Sequence, residues 1–265
     1  MEVIDHGVCR LALVSVRKDP KDQSEQVTQL LFGDHYEVIL ISDNKKWIRI
    51  RIHADLYEGW ISEKQHHTIA KEFFEQINHA NYKISTDVTS SLLYKKSPLT
   101  ILMGSIVPIS NSELFRMEEQ FAFNGESKSL GQKREYEFLK SIAFKYLNAP
   151  YQWGGKSPFG IDCSGFMQMV FKISGYQLLR DASQQANHGK KVYGISEAHP
   201  GDLAFFKNPE EQIIHVGIIL EEEKIIHAHG KVRIDHLTKE GILNAETKIL
   251  THQLADIRRV MNNNS

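Results

Sequence analysis

The sequence predicts an α+β protein: two small β-barrels, then a domain in which helices precede an antiparallel sheet. Three observations lead there. Residues 8–125 carry short apolar runs broken by turn signals, residues 134–175 space their apolar side chains as helices do, and residues 201–262 return to short strands.

The elements follow in chain order. "YEVILISDNKKWIRIRI" is two apolar runs around Asp43-Asn44-Lys45-Lys46, which predicts a hairpin. In its second arm Ile48, Ile50 and Ile52 alternate with Arg49 and Arg51, the period of a half-buried strand. "EGWIS" adds a short strand, and "SSLLYKK", "ILMGSIVPI" and "ELFRMEEQFAF" predict a second set. Between the sets, "KEFFEQINHA" fits a connecting helix or another strand. The Gly/Ser/Lys-rich stretch "NGESKSLGQK" (124–133) reads as a linker.

Beyond it, "REYEFLKSIAFKYLNAP" places Tyr136, Leu139, Ala143, Tyr146 and Leu147 at helical spacing and stops at Asn148 and Pro150. "CSGFMQMVFKISG" predicts a second helix, with Cys163, Phe166, Met167, Val170 and Phe171 on one face and Gly175 closing it. "GDLAFF", "HVGIIL", "KIIHAHG", "VRIDHL" and "ADIRRVM" then supply the sheet. The division expected is 1–66, 67–127 and 128–265.

Composition narrows the function. A chain of 265 residues, 41% hydrophobic and 25% charged, suits a soluble globular protein of two or three domains. A formal net charge of -1 leaves no basic field for nucleic acid or an anionic membrane, so neither is expected as a partner. No apolar run approaches the ~20 residues that span a bilayer. The first residues lack a basic n-region, and Arg10 and Ser15 break their apolar stretch, so no secretory signal is read and a cytoplasmic protein is expected. Cys9 and Cys163 lie far apart and suggest no disulfide framework.

Chemistry concentrates on "GIDCSGFMQMVF" (160–171). Cys163 falls at the expected first turn of a helix, where unpaired N–H groups and the positive dipole end stabilise a thiolate and lower the thiol pKa. Gly160 and Gly165 allow close backbone approach. A buried, inert thiol fits the same text. A nucleophilic cysteine needs a base, and the base an orienting partner. If "HVGIIL" and "KIIHAHG" pair as a hairpin, His215 and His227 meet at one end of the sheet, His215 forming an ion pair with Cys163 and His227 fixing its tautomer. Zinc is the rival use of Cys and His, but the chain lacks CxxC and HExxH, and no spacing demands oxygens from Asp162 or Asp202. No metal or organic cofactor is expected.

At this point the residues carry a resemblance. "YQWGGKSPFGIDCSGFMQMVF", "RDASQQ", "PGDLAFF", "HVGIIL" and "IIHAHG" resemble, in that order, the NlpC/P60 family of papain-like cysteine peptidases that cleave bacterial cell-wall peptides, over residues 131–262. The resemblance implies Cys163 as nucleophile, His215 as base and His227 as orienting residue. Position 229, usually small in the family, is histidine here, so His229 competes for the orienting role.

Upstream, the strands resemble bacterial SH3-type barrels. "SEQVTQLLFGD" and "DLYEGWI" resemble the first barrel of γ-D-glutamyl-L-diamino-acid endopeptidases, which act on cell-wall peptides with a free N-terminal L-Ala. That implies Glu25, Tyr57 and Asp181 for the substrate's ammonium and Trp153 as a pocket wall; Asp162 and Ser164, the flanks that position Cys163, are read in addition as lining the cleft. Carboxylates and a phenol suit a desolvated ammonium. The expected substrate is L-Ala-γ-D-Glu-diamino acid, in cell-wall recycling. An exported hydrolase of intact wall and a non-catalytic wall-binding protein are the alternatives.

Overall fold

The computed structural model describes residues 2–79, 82–110, 115–116 and 121–261. Its chain divides into two compact units, Met1–Gln132 with Gly154–Ser157, and Lys133–Trp153 with Pro158–Ser265.

The first unit is built on a seven-stranded antiparallel sheet. In space its order is Gln26–Leu31, Leu13–Arg17, Glu58–Ser62, Trp47–Ile52, His35–Ile41, Asp5–Val8 and Thr68–Ile69. The alternation around Trp47 is realised: Ile48, Ile50 and Ile52 enter a core with Val14, Val16, Leu30 and Val38. Arg49 and Arg51 turn outward, each 3.0 Å from a Glu58 oxygen. The open stretch between the sets is a helix, Lys71–His79, whose Phe74 and Ile77 pack with Val8, Ile69 and Tyr82. A three-residue step puts those two on one helical side, which a strand's period of two would not.

Two smaller sheets complete this unit. One orders Ser97–Leu102, Thr89–Tyr94, Phe121–Asn124 and Phe115–Arg116, and the other Ile106–Ser110, Tyr82–Ser85 and Ser127–Ser129. The remainder of the strand expected over "ELFRMEEQFAF" lies outside the described residues. The stretch 124–133 is not merely a linker. Ser127, Lys128 and Ser129 pair with Ser85, Ile84 and Lys83, a ladder made by backbone groups that needs no apolar side chain.

In the second unit the helix Tyr136–Lys145 buries Leu139, Ile142 and Ala143. The helix Cys163–Ile173 is buried on every side, Cys163 through Phe171 without exception, so its apolar residues do more than form one stripe. It ends in a Schellman turn: Gly175, at φ +90°, donates to Lys172 O at 3.1 Å, and Tyr176 N to Phe171 O at 2.9 Å.

The sheet that follows runs Leu203–Lys207, Ile213–Ile219, Lys224–His229, Lys231–Leu237, Gly241–Leu243 and Leu250–Arg259, every neighbour antiparallel. The last strand pairs with the first as well as with the fifth, which closes a barrel. Ala204, Phe206, Ile219, Ile225, Leu237, Ile242 and Ile257 form one apolar cluster in it. Among the described residues no helix is long and apolar enough to cross a membrane.

Candidate active site

Cys163 is the first residue of its helix and Asp162 its N-cap. Asp162 Oδ1 accepts the Gly165 N–H at 2.7 Å and the Ser164 hydroxyl at 3.3 Å. Arg180, 2% exposed, grips the same carboxylate with Nη2 to Oδ2 at 2.6 Å and Nη1 to Oδ1 at 3.0 Å, and reaches Ser164 Oγ at 2.9 Å. Gln185 Nε2 donates to the carbonyls of Ser164 and Leu179 at 3.0 and 2.8 Å. Asp162 and Ser164 thus come together beside the cysteine, both buried, in a hydrogen-bonded mount for the helix start.

The Cys163 helix packs on the His215 strand, Ile213–Ile219. The backbone N–H groups of Val216 and Ser164 hydrogen-bond the Cys163 sulfur. These contacts favour the thiolate, yet they do not win. Burial pushes the thiol up to about 12, and the Asp162 carboxylate adds to the rise against the two N–H groups and Arg180. Burial thus acts against the lowering expected from the helix start.

His215 is shifted the same way in effect. Burial first, then the rings of His227, His252 and His229, hold its imidazole well below the ordinary 6.5. Burial therefore works against the charged form of both members of the pair.

The register explains how the histidines meet. Gly217 lies opposite His227 across the hairpin, so His215, two residues earlier, is His227's diagonal neighbour on the same face. A Cβ at Gly217 would stand 2.9 Å from His227 Cβ, so the glycine of "HVG" makes room for that ring. His215 Nε2 and His227 Nδ1 are 2.8 Å apart, and His227 Nε2 lies 2.9 Å from Asp235 Oδ2. The geometry gives this contact to His227. His229 is exposed, its ring centroid 6.4 Å from that of His215.

Three neighbours escaped the reading of the sequence. Asp235 is one. His252 is another, its ring stacked on His215 at 4.1 Å between centroids. Tyr151, of "YQWGG", is the third: burial, then the charges of Cys163 and Asp162, push its phenol up to about 12, so it stays an O–H donor. The imidazoles of His215, His227, His229 and His252 crowd together, but among the described residues no group of three His, Cys, Asp or Glu is arranged to hold a metal ion.

The other expected substrate residues are placed as follows. Trp153 is 61% exposed, and Asp181 caps the short helix Ala182–Gln185, its N–H donating to Gln184 Oε1 at 3.0 Å. In the first unit, Glu25 lies 3.6 Å from Lys18 Nζ, and Tyr57 packs against the core of the seven-stranded sheet.

Residues 148–251 match the NlpC/P60 family, and residues 16–65 match the bacterial dipeptidyl-peptidase Sh3 domain. The chain is 28% identical over 221 residues to a gamma-D-glutamyl-L-lysine dipeptidyl-peptidase of Bacillus subtilis, covering 76% of this chain and 71% of that one. It is 27% identical over 238 residues to dipeptidyl-peptidase 6 of Lysinibacillus sphaericus, covering 82% and 84%. A solved NlpC/P60 family protein from Bacillus cereus superposes with a TM-score of 0.82 over 97% of this chain and 100% of that one, at 20% identity, a likeness of fold.

Proposed function

Because the chain carries an NlpC/P60 domain behind a bacterial SH3 domain, and is thereby a cysteine peptidase related to cell-wall enzymes, we propose that it hydrolyses the γ-D-Glu–diamino acid bond of cell-wall peptides bearing a free N-terminal L-Ala. One observation carries the proposal: a cysteine at the start of a buried helix, packed on the strand whose histidine is bonded to a second histidine at 2.8 Å. The name of the Bacillus subtilis relative supports the bond cleaved.

In this reading the Cys163 thiol gives its proton to His215 as the sulfur attacks the γ-D-glutamyl carbonyl. The Cys163 backbone N–H and the Tyr151 hydroxyl are assigned to the oxyanion, since both are donors that stay protonated. His215 then protonates the leaving amine, and water, deprotonated by the same ring, hydrolyses the thioester. On the family resemblance, Glu25, Tyr57, Asp181 and Trp153 are assigned to the free amine. A place in cytoplasmic recycling of wall peptides suits a substrate already released from the wall.

The test offers the enzyme L-Ala-γ-D-Glu-L-Lys, its N-acetylated form and purified cell wall. Cleavage of the free tripeptide alone, abolished in Cys163→Ala, is the expected result. Equal cleavage of the acetylated peptide would remove the amine requirement, and preference for intact wall would replace recycling by wall hydrolysis.

A further inference from the structure

His215, His227 and Asp235 lie on three successive strands, each a diagonal step from the last: Gly217 pairs with His227, and Ile225 pairs with Asp235. Asp235 has a side chain only 1% exposed. Its Oδ2 accepts from His227 Nε2 at 2.9 Å and Arg233 Nε at 2.8 Å, and its Oδ1 from Arg233 Nη2 at 3.0 Å and the Ala245 N–H at 2.8 Å. A buried carboxylate need not face a second ring to fold a barrel. Here it does, and that ring touches the base.

We propose that Asp235 is a positioning residue that sets the proton arrangement of both histidines, so that His215 offers an unprotonated Nδ1 to Cys163. This deepens the reading of Cys163 and His215 as nucleophile and base, and rests on it.

With four donors aimed at it, Asp235 acts as an ionised acceptor: against the rise from burial, the hydrogen bonds from His227, Arg233 and the Ala245 N–H hold its carboxyl well below the ordinary carboxylate range. His227 must therefore carry its proton on Nε2. Burial keeps His227 neutral, with one ring proton, so its Nδ1 is a lone pair. That lone pair can only accept, and His215 must carry its proton on Nε2. The remaining nitrogen, His215 Nδ1, is bare.

During attack the S–H proton moves to Nδ1 as the S–C bond forms, leaving His215 an imidazolium. Its charge is supported by the fixed carboxylate behind His227. As the C–N bond breaks, the same proton passes to the leaving amine and His215 is neutral again. Asp235 gains no proton at any step. The other charges around the chain are Arg233, Glu246 at 3.6 Å from Arg233, and the rings of His229 and His252.

Asp235→Asn tests this. An amide turned to place its NH₂ at His227 Nε2 inverts both tautomers and puts a proton on His215 Nδ1. The expected result is a fall of about 10²-fold in kcat with KM within about twofold. The acid limb of kcat/KM should move to lower pH, because the imidazolium has lost its counter-charge, and Asp235→Glu should recover part of the loss. Wild-type kcat and an unmoved acid limb in a folded Asp235→Asn variant would overturn the proposal.

A second measurement needs no variant. Ring-nitrogen NMR of the wild-type chain at neutral pH should find His215 protonated on Nε2 and bare on Nδ1; the reverse tautomer refutes the relay even if Asp235→Asn fails to fold. Failure of the underlying reading looks different: Cys163→Ala or His215→Ala would then retain turnover whatever Asp235 does.

Discussion

The imidazole of His252 lies flat on that of His215, with centroids 4.1 Å apart and planes within 22° of each other. Phe206, which pairs with His215 across the first two strands of the barrel, flanks both rings at 5.9 and 6.0 Å. His215 is thus flanked by His252 and Phe206 as well as held by its contact with His227.

Stacked rings at this distance cannot both be charged cheaply. Burial, then the charges of His227 and His229, bring His252 down to about 4, and His252 in turn lowers His215. His252→Phe keeps the stack and removes the charge. The acid limb of kcat/KM should then move to higher pH, by a few tenths of a unit or more; an unmoved limb in a pH-rate profile would show that the rings are not coupled.

The same rings set the acid stability. His215, His227 and His252 all have folded values below the ordinary 6.5, so the unfolded chain binds protons first as pH falls. Their contribution is complete above 6.5 and is lost as pH drops toward each folded value. Asp235, lowered from 3.8, gives way only at still lower pH. Calorimetry from pH 7.5 to pH 4.5 should record a falling Tm, and a smaller fall in His252→Phe. A flat Tm in the wild type contradicts the assignment.

How much of this was legible in the sequence depends on how local each feature is. The helix start at Cys163 and the hairpin joining His215 to His227 are short-range patterns, marked by Asp162, Gly175 and the period of "HVGIIL". Asp235 sits in "VRIDHL", an ordinary strand pattern, and only the pairing of Ile225 with Asp235 brings it to His227. His252 reaches His215 because the barrel closes between the first and last strands, a non-local event with no mark in the text. The thiol's raised pKa was hidden for a related reason. Burial on all sides of the Cys163 helix is a property of the packed unit, whereas the helix dipole can be read from a cap.

Gly217 offers a test of the hairpin geometry. A methyl group there would meet His227 Cβ at 2.9 Å and the Ile225 side chain at 2.8 Å, and something must shift. Since a displacement of about 1 Å can cost about 10²-fold in rate, Gly217→Ala should lower kcat by roughly that factor while KM changes little. Steady-state kinetics at near wild-type rates would argue that His227 needs no such room.

Arg180 and Asp162 form a buried, two-bond ion pair, 2% and 6% exposed at their side chains. Removing one partner strands the other charge away from water. Arg180→Met should therefore destabilise the second unit by about 3–5 kcal/mol, read as the loss in denaturant unfolding. A loss under about 1 kcal/mol, the usual worth of an exposed pair, would show that water reaches Asp162.

The central claim is that Cys163 attacks the substrate and His215 takes its proton. Rapid mixing with L-Ala-γ-D-Glu-L-Lys, acid quench and peptide mapping by mass spectrometry test it most directly. The expected result is an L-Ala-γ-D-Glu thioester on the peptide containing Cys163, absent in Cys163→Ala and slow to form in His215→Ala. Turnover with no adduct on Cys163, undiminished in Cys163→Ala, would contradict it.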